Sequence, residues 1–322
     1  MRKIITVSIV LSLILLSCND NNNIPKIGIL QDKPQEWADA LRAGFTEGLI
    51  EHGYESGKDF ILISRTGMGD PIVMSSIAEN FSFSDYSLVY GLGTQASQEL
   101  FNTVKNKPII FGAVTDPVQA GFFNDNLNNP HGMITGTQDL WPYPAQFDLI
   151  KILLPNIKNI GVVYSSNEIN SQISIEYIKK EALKRNINIL ERTVSADNEI
   201  ELAVNALLSK KIDLFYIPAD NTAQTNSSII ISNYNRKKVP VFTGISGIVE
   251  NGAIATVGTN YYELGKVNAK QAIEIIFNHK PTKDVPVAIA DQGDIYLNIK
   301  VAKELGIIIP DEIIKKAFKI YK

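Results

Sequence analysis

Ile27-Gly28-Ile29-Leu30 and Ile160-Gly161-Val162-Val163 open two stretches of chain that run through the same succession of elements. Each is a short β-branched run followed by an amphipathic stretch of helical length. In each half a later proline-led run, Pro108-Ile109-Ile110-Phe111 or Pro240-Val241-Phe242-Thr243, starts a strand just after a helix. Strands alternating with helices specify a parallel sheet with helices on its faces. Two such series in 322 residues, a length at which a single core stops growing, predict an α/β protein of two doubly wound parallel-sheet lobes.

The first half predicts strands at Ile27–Leu30, Phe60–Ser64, Ser87–Tyr90 and Pro108–Phe111. The stretch from Gln35 to His52 sets Trp37, Leu41, Phe45, Leu49 and Ile50 on one helical face, and Gly53 ends it. Further helices start near Asp70-Pro71, with proline at the first helical position, and at Thr94. A loop-rich region spans Thr115 to Pro144. The second half predicts helices at Gln146–Leu154, Asn170–Arg185, Glu199–Ser209 and Asn221–Tyr234, with strands at Ile160–Tyr164, Ile187–Thr193, Leu214–Ile217 and Val239–Thr243. A helix Tyr261–Asn278, a strand Val285–Ile289 and short helices Ile295–Glu304 and Asp311–Phe318 remain. A chain with elements left after its second lobe crosses back to the first, and several crossings make a hinge. The expected division is 26–138 with about 263–292 in one lobe and 139–262 with about 293–322 in the other.

The start of the chain reads as an export signal. Arg2 and Lys3 precede an apolar run from Ile4 to Leu16, too short for a comfortable membrane span. It ends at Leu15-Leu16-Ser17-Cys18, and Cys18 is the single cysteine of the sequence. The spacing resembles a bacterial lipobox, which makes residues 1–17 a signal peptide, Cys18 the acylated first residue and 18–25 a polar tether. Buried acyl methylenes contribute about 0.8 kcal/mol each, enough for a multiply acylated cysteine to hold a domain at a membrane. Lys plus Arg number 31 against 34 acidic residues, a net charge of −3, and no basic run could neutralise a row of phosphates, so nucleic acid is excluded as a partner.

Ligands of open parallel sheets sit beyond the carboxyl ends of the strands, where loops enter helices. Those ends carry Gln31 and Asp32; Thr94 and Gln95; Thr115 and Asp116; Asn170 and Ser171; Asp220, Asn221 and Thr222; and Ser246. Hydroxyls and helix N-termini suit a carboxylate, and an aspartate suits an ammonium group. The same residue types also cap helices, a purely structural use. Trp37, Phe111, Trp141 and Tyr261 are candidates for an apolar wall, core packing being the alternative for each. Enzyme signatures are missing: His52, His131 and His279 fall at helix ends or in a loop, there is no G-x-S-x-G, H-E-x-x-H or P-loop, and Gly91-Leu92-Gly93 lacks the third glycine of a dinucleotide fingerprint. No cofactor and no metal are implied. Asp116, Asp139 and Asp220 could meet as a carboxylate group in a cleft, or could serve as ligand contacts and caps.

Several segments together resemble one family. They are Gly93-Thr94-Gln95-Ala96, Ala113-Val114-Thr115-Asp116-Pro117-Val118, Gly136 to Asp139, Tyr216-Ile217-Pro218-Ala219-Asp220-Asn221-Thr222, and Gly252 to Thr256 running into Tyr261-Tyr262-Glu263-Leu264-Gly265. The chain resembles the ABC transporter substrate-binding lipoproteins whose ligands include tryptophan, tyrosine and phenylalanine. The resemblance implies the periplasmic-binding type I fold, a small-molecule ligand in a cleft lined by Thr94, Thr115, Asp116, Asp220, Asn221 and Thr222, and delivery to a permease and an ATPase that are separate chains. It implies binding without catalysis, by a closed form that the ligand selects. The chain departs from the pattern at Asn260, where the family often has aspartate, and at Gly244–Gly247, which lacks an acidic residue. Rival readings are a binding protein that serves a sensor, an extracytoplasmic carboxylate hydrolase, and a LacI-type repressor, whose DNA-binding helices would have to occupy the place of the export signal.

Overall fold

The structure is a computed structural model that describes residues 24–128, 130–290 and 293–322. Cys18, the signal and most of the tether lie outside them. Six strands form one sheet: β1 (Lys26–Gln31), β2 (Ile61–Thr66), β3 (Leu88–Leu92), β4 (Ile109–Val114), β5 (Ile134–Gln138) and β11 (Ala288–Ile289), in the order β11-β5-β4-β3-β1-β2. The second sheet orders β13 (Lys319–Tyr321), β12 (Asp294–Asn298), β10 (Ala255–Gly258), β9 (Val241–Thr243), β8 (Leu214–Ile217), β6 (Asn159–Ser165) and β7 (Asn188–Val194). All ladders are parallel except β10 with β12. In each sheet the first strand of the half, β1 or β6, is flanked by the next two, so strand order reverses beside it. Such switch points open a crevice at the carboxyl ends of the strands.

Alternation along the strands decides which helices cover which face. In β1 and β3, Ile27, Ile29, Leu88, Tyr90 and Leu92 join the core beneath α1 (Glu36–Glu51) and α10 (Tyr261–Ile276). Leu30, Val89 and Phe111 pack the other way, against α2 (Pro71–Phe83) and α3 (Thr94–Thr103). The helices α1 and α10 meet along a seam of small residues. A Cβ added at Gly44 would lie 1.8 Å from the Tyr262 carbonyl oxygen, and one at Gly265 would lie 2.1 Å from that of Leu41. The second sheet is covered by α4 (Tyr143–Leu153), α5 (Ile169–Lys184), α6 (Ile200–Leu208), α7 (Asn221–Thr225), α8 (Ser227–Arg236), α9 (Ser246–Glu250), α11 (Ile299–Leu305) and α12 (Asp311–Lys316).

The chain passes between the sheets from β5 to α4, from β10 to α10, and from β11 to β12. This is the multi-crossing hinge. Several element readings need correction. The loop-rich region contains β5, whose Ile-Thr-Gly-Thr-Gln sequence carries too little apolar character to announce a buried strand. The expected helix Ile295–Glu304 is a strand, β12, that turns into α11 where Asn298 caps its first turn. The expected Asn221–Tyr234 helix breaks at Asn226 into α7 and α8. The expected strand Val285–Ile289 shrinks to the two residues of β11. Both β10 and β13 went unread.

Candidate functional site

Between the sheets, at the two switch points, lies a narrow cavity. One wall comes from the six-stranded lobe: Trp37 at the start of α1, Gly93 and Thr94 after β3, and Ala113 and Thr115 after β4. The opposite wall brings Asn170 at the start of α5, Ala219, Asn221 and Gln224 after β8, and Ile245 after β9. The crossings supply the floor, with Asp139, Trp141 and Tyr261. The space left open is about 30 Å³, room for about two waters.

Two backbone features shape the lobe-1 wall. Gly93 takes φ +80°, and a Cβ there would meet the Trp37 ring at 2.9 Å. Ala113 holds φ 56°, in a region that non-glycine residues seldom enter, at a point where the β4–β5 register shifts. Its N–H donates to Thr137 Oγ1 at 3.1 Å.

The floor is a hydrogen-bonded chain. Trp141 Nε1 donates to the Tyr261 hydroxyl at 3.2 Å, which donates to Asp139 Oδ2 at 2.8 Å, and Thr259 Oγ1 donates to Asp139 Oδ1 at 2.5 Å. Burial raises the Asp139 pKa, against the lowering pull of these donors. A carboxylate has about four lone-pair sites, so Asp139 keeps acceptor capacity for an incoming cation. Asn170 adds to it. Its Nδ2 donates to Glu168 Oε2 and the Ala219 carbonyl, while its Oδ1 is buried with no hydrogen-bond partner.

Of the residues expected at the site, Thr94, Thr115, Asn170 and Asn221 line this cavity. Gln31 does not: its Nε2 donates to the Lys33 carbonyl and braces the β1–α1 turn. Gln95 lies outside, 3.5 Å from Asn221. Asp116 caps its own turn, accepting from the N–H groups of Val118 and Gln119. Asp220 sits fully buried behind the wall, accepting from Ser165 N–H, the Ser171 hydroxyl and Ala223 N–H. Desolvation, and secondarily Glu168, push its pKa up to about 7. Thr222 donates to Glu168 Oε1 at 3.1 Å, and Ser246 opens α9 away from the cavity. Asp116, Asp139 and Asp220 therefore serve three separate hydrogen-bond sets. Phe111 packs with Phe122 and Phe123 in the core, whereas Trp37, Trp141 and Tyr261 form the aromatic wall.

The two sequence departures find explanations. Asn260 caps α10 by accepting from Glu263 N–H and does not line the cavity. At Gly244 a Cβ would strike the Trp141 ring at 2.3 Å, and at Gly247 it would strike Glu36 Oε2 at 2.0 Å. A larger residue at Gly244 would displace the floor, and one at Gly247 would push aside the end of the Glu36 side chain that reaches across from lobe 1.

The lobes touch. Lys33 Nζ pairs with Asp197 at 2.8 Å, Gln35 Nε2 donates to Asn221 Oδ1 at 3.1 Å, and Asn251 Nδ2 donates to Glu36 Oε1 at 3.4 Å. Trp37 lies 5.5 Å from Tyr261, ring to ring. Sequence reasoning missed Lys33, Gln35, Glu168 and Asp197, since pairings between distant segments leave no local signature.

Comparison with known proteins follows the same lines. Residues 26–321 match the family described as ABC transporter substrate binding protein. A tyrosine-binding protein of Clostridioides difficile is 32% identical over 286 residues, covering 89% of this chain and 82% of the relative. A crystal structure from Streptococcus pneumoniae in complex with L-Trp is 32% identical, with TM-score 0.87, covering 92% of this chain and 99% of the other. The ligand-free, open structure of a substrate-binding protein with adhesive properties from Clostridium difficile is also 32% identical, covering 93% and 100%, with TM-score 0.71. At equal identity the chain superposes better on the ligand-bound neighbour than on the open one, which agrees with the direct contacts between its lobes. The chain is a member of the ABC transporter substrate-binding protein family, with the periplasmic-binding type I fold.

Proposed function

We propose that this chain captures an amino acid, preferably an aromatic one, between its lobes and delivers it to a separate permease and ATPase, held at a membrane through Cys18. Asp139 carries the reading: a buried carboxylate with acceptor capacity left, set at the hinge beneath two tryptophans and a tyrosine. It would take the α-ammonium group together with Asn170 Oδ1. Thr94 at the N-terminus of α3 would take the α-carboxylate, where exposed N–H groups favour an anion. The aromatic wall would take the side chain. Names of relatives support the class, one being a tyrosine-binding protein and another holding L-Trp.

The lobes must part to admit a molecule of that size and close around it less tightly than they do here, since about 30 Å³ holds no amino acid. A solute touching both walls then stabilises the closed form by its differential affinity. Nothing in this scheme makes or breaks a covalent bond. Calorimetric titration of the solute-stripped chain with the amino acids tests it. One aromatic amino acid is expected to bind 1:1, Asp139→Asn to weaken it at least tenfold (about 1.4 kcal/mol), and mass spectrometry to return it unchanged. Absence of amino-acid binding, or equal affinity in Asp139→Asn, would refute the proposal.

A further inference from the structure

Outside the narrow cavity, past the partition made by Gln35, Asn221 and Gln95, the gap between the lobes widens into a second cavity of about 490 Å³. Lobe 1 contributes Asp32, Lys33, Gln95 and the segment of Met68, Gly69, Pro71 and Met74; lobe 2 contributes Ser165, Asn167, Glu168, Thr222 and the loop around Asp197. Its charge is unbalanced, with the carboxylates of Asp32, Glu168 and Asp197 set against the single ammonium of Lys33. Two of these carboxylates are satisfied. Glu168 accepts from the N–H groups of Asn221 and Thr222, from Asn170 Nδ2 and from the Thr222 hydroxyl. Asp197 accepts from Lys33 Nζ at 2.8 and 3.1 Å. Asp32 is different: it is 6% exposed, and its Oδ2 is buried without any hydrogen-bond partner.

An orphaned acceptor in a net-acidic cavity calls for a donor that carries positive charge. A metal ion is disfavoured, because Glu168 spends its oxygens on N–H and O–H donors and the described residues hold no group of three metal-ligating side chains. Lys33 already shows the chemistry that fits. Its ammonium leaves lobe 1 and reaches the carboxylate of Asp197 on lobe 2.

We infer that this outer cavity is a second binding site, which takes the primary ammonium group of a small organic amine between the unpartnered carboxylate of Asp32 on one lobe and that of Asp197 on the other, where it competes with Lys33. A cation gripped from both sides favours the closed form, and by linkage closure favours the cation. The site is separate from the solute cavity and does not depend on which solute that cavity takes.

The test is calorimetric titration of the purified chain with 1,4-diaminobutane at constant ionic strength, with no other solute present. Wild type is expected to bind it, Asp32→Asn to lose at least tenfold in affinity, and Lys33→Gln to gain severalfold because the competing ammonium is gone. A gain in affinity cannot come from misfolding, so the second variant keeps the test decisive. Tetramethylammonium, which has no N–H, should not bind. The inference is overturned if Asp32→Asn binds the diamine unchanged, if tetramethylammonium binds as well, if magnesium or calcium displaces the amine one for one, or if neither wild type nor Lys33→Gln binds.

Discussion

Replacing Asp32 by asparagine should make the protein more stable at neutral pH and leave it unchanged in acid. The buried Asp32 carboxyl has its pKa pushed up from 3.8 to about 6, first by desolvation, with Glu168 and Asp197 adding to the rise and Lys33 opposing it. The folded state therefore holds a proton that the unfolded chain gives up near pH 4. Stability from this group is fully present below about pH 4, declines as pH rises, and is lost above about pH 6. A shift of about two units at about 1.4 kcal/mol each sets the penalty at neutral pH at up to about 3 kcal/mol. Asparagine has no such slope, although its own burial offsets some of the gain. The informative quantity is the difference in unfolding free energy between variant and wild type, from urea denaturation without amines, at pH 4 and pH 7. It should move by about 2 to 3 kcal/mol in favour of the variant between the two. A difference that is constant with pH, or one favouring wild type at pH 7, would show that Asp32 has a partner and that the reasoning about the outer cavity is wrong.

Two more outcomes follow from the packing. Gly44→Ala should cost more than about 2 kcal/mol, as overpacking does, because its methyl would stand 1.8 Å from the Tyr262 carbonyl oxygen; a denaturation midpoint matching wild type would contradict the seam described for α1 and α10. Trp37→Ala removes the movable side of the aromatic wall and should weaken solute binding by roughly 10- to 100-fold, one to two steps of about 1.4 kcal/mol, with little loss of fold stability since Trp37 is only partly buried.

The lobed architecture was legible because it rests on periodicity. Ile27, Ile29 and Tyr90 share one face while Leu30, Val89 and Phe111 take the other, as the two-residue period of a strand requires, and the repeated strand-helix grammar set the two sheets. Short strands that pair late in the chain were not legible. β12 looked helical since Asp294–Asn298 and the following Ile299–Leu305 form one apolar-spaced run, and only pairing with β10 decides where the strand ends. At the site, strand-end position pointed to Thr94, Thr115, Asn170 and Asn221, which the structure brings together around one cavity. It could not tell a side chain that faces the cavity from one that props the wall. Asp220 and Thr222 flank Asn221, yet local capping turns both inward to Ser171 and Glu168.

The sequence contains two tryptophans, Trp37 and Trp141, and both line the solute cavity. One belongs to a lobe and the other to a crossing, so opening the gap changes the polarity around the indoles together. Excited at the red edge of indole absorption, where the tyrosines stay dark, the unlabelled protein thus emits from these two rings alone, and its shift in colour is an optical record of occupancy that needs no attached dye.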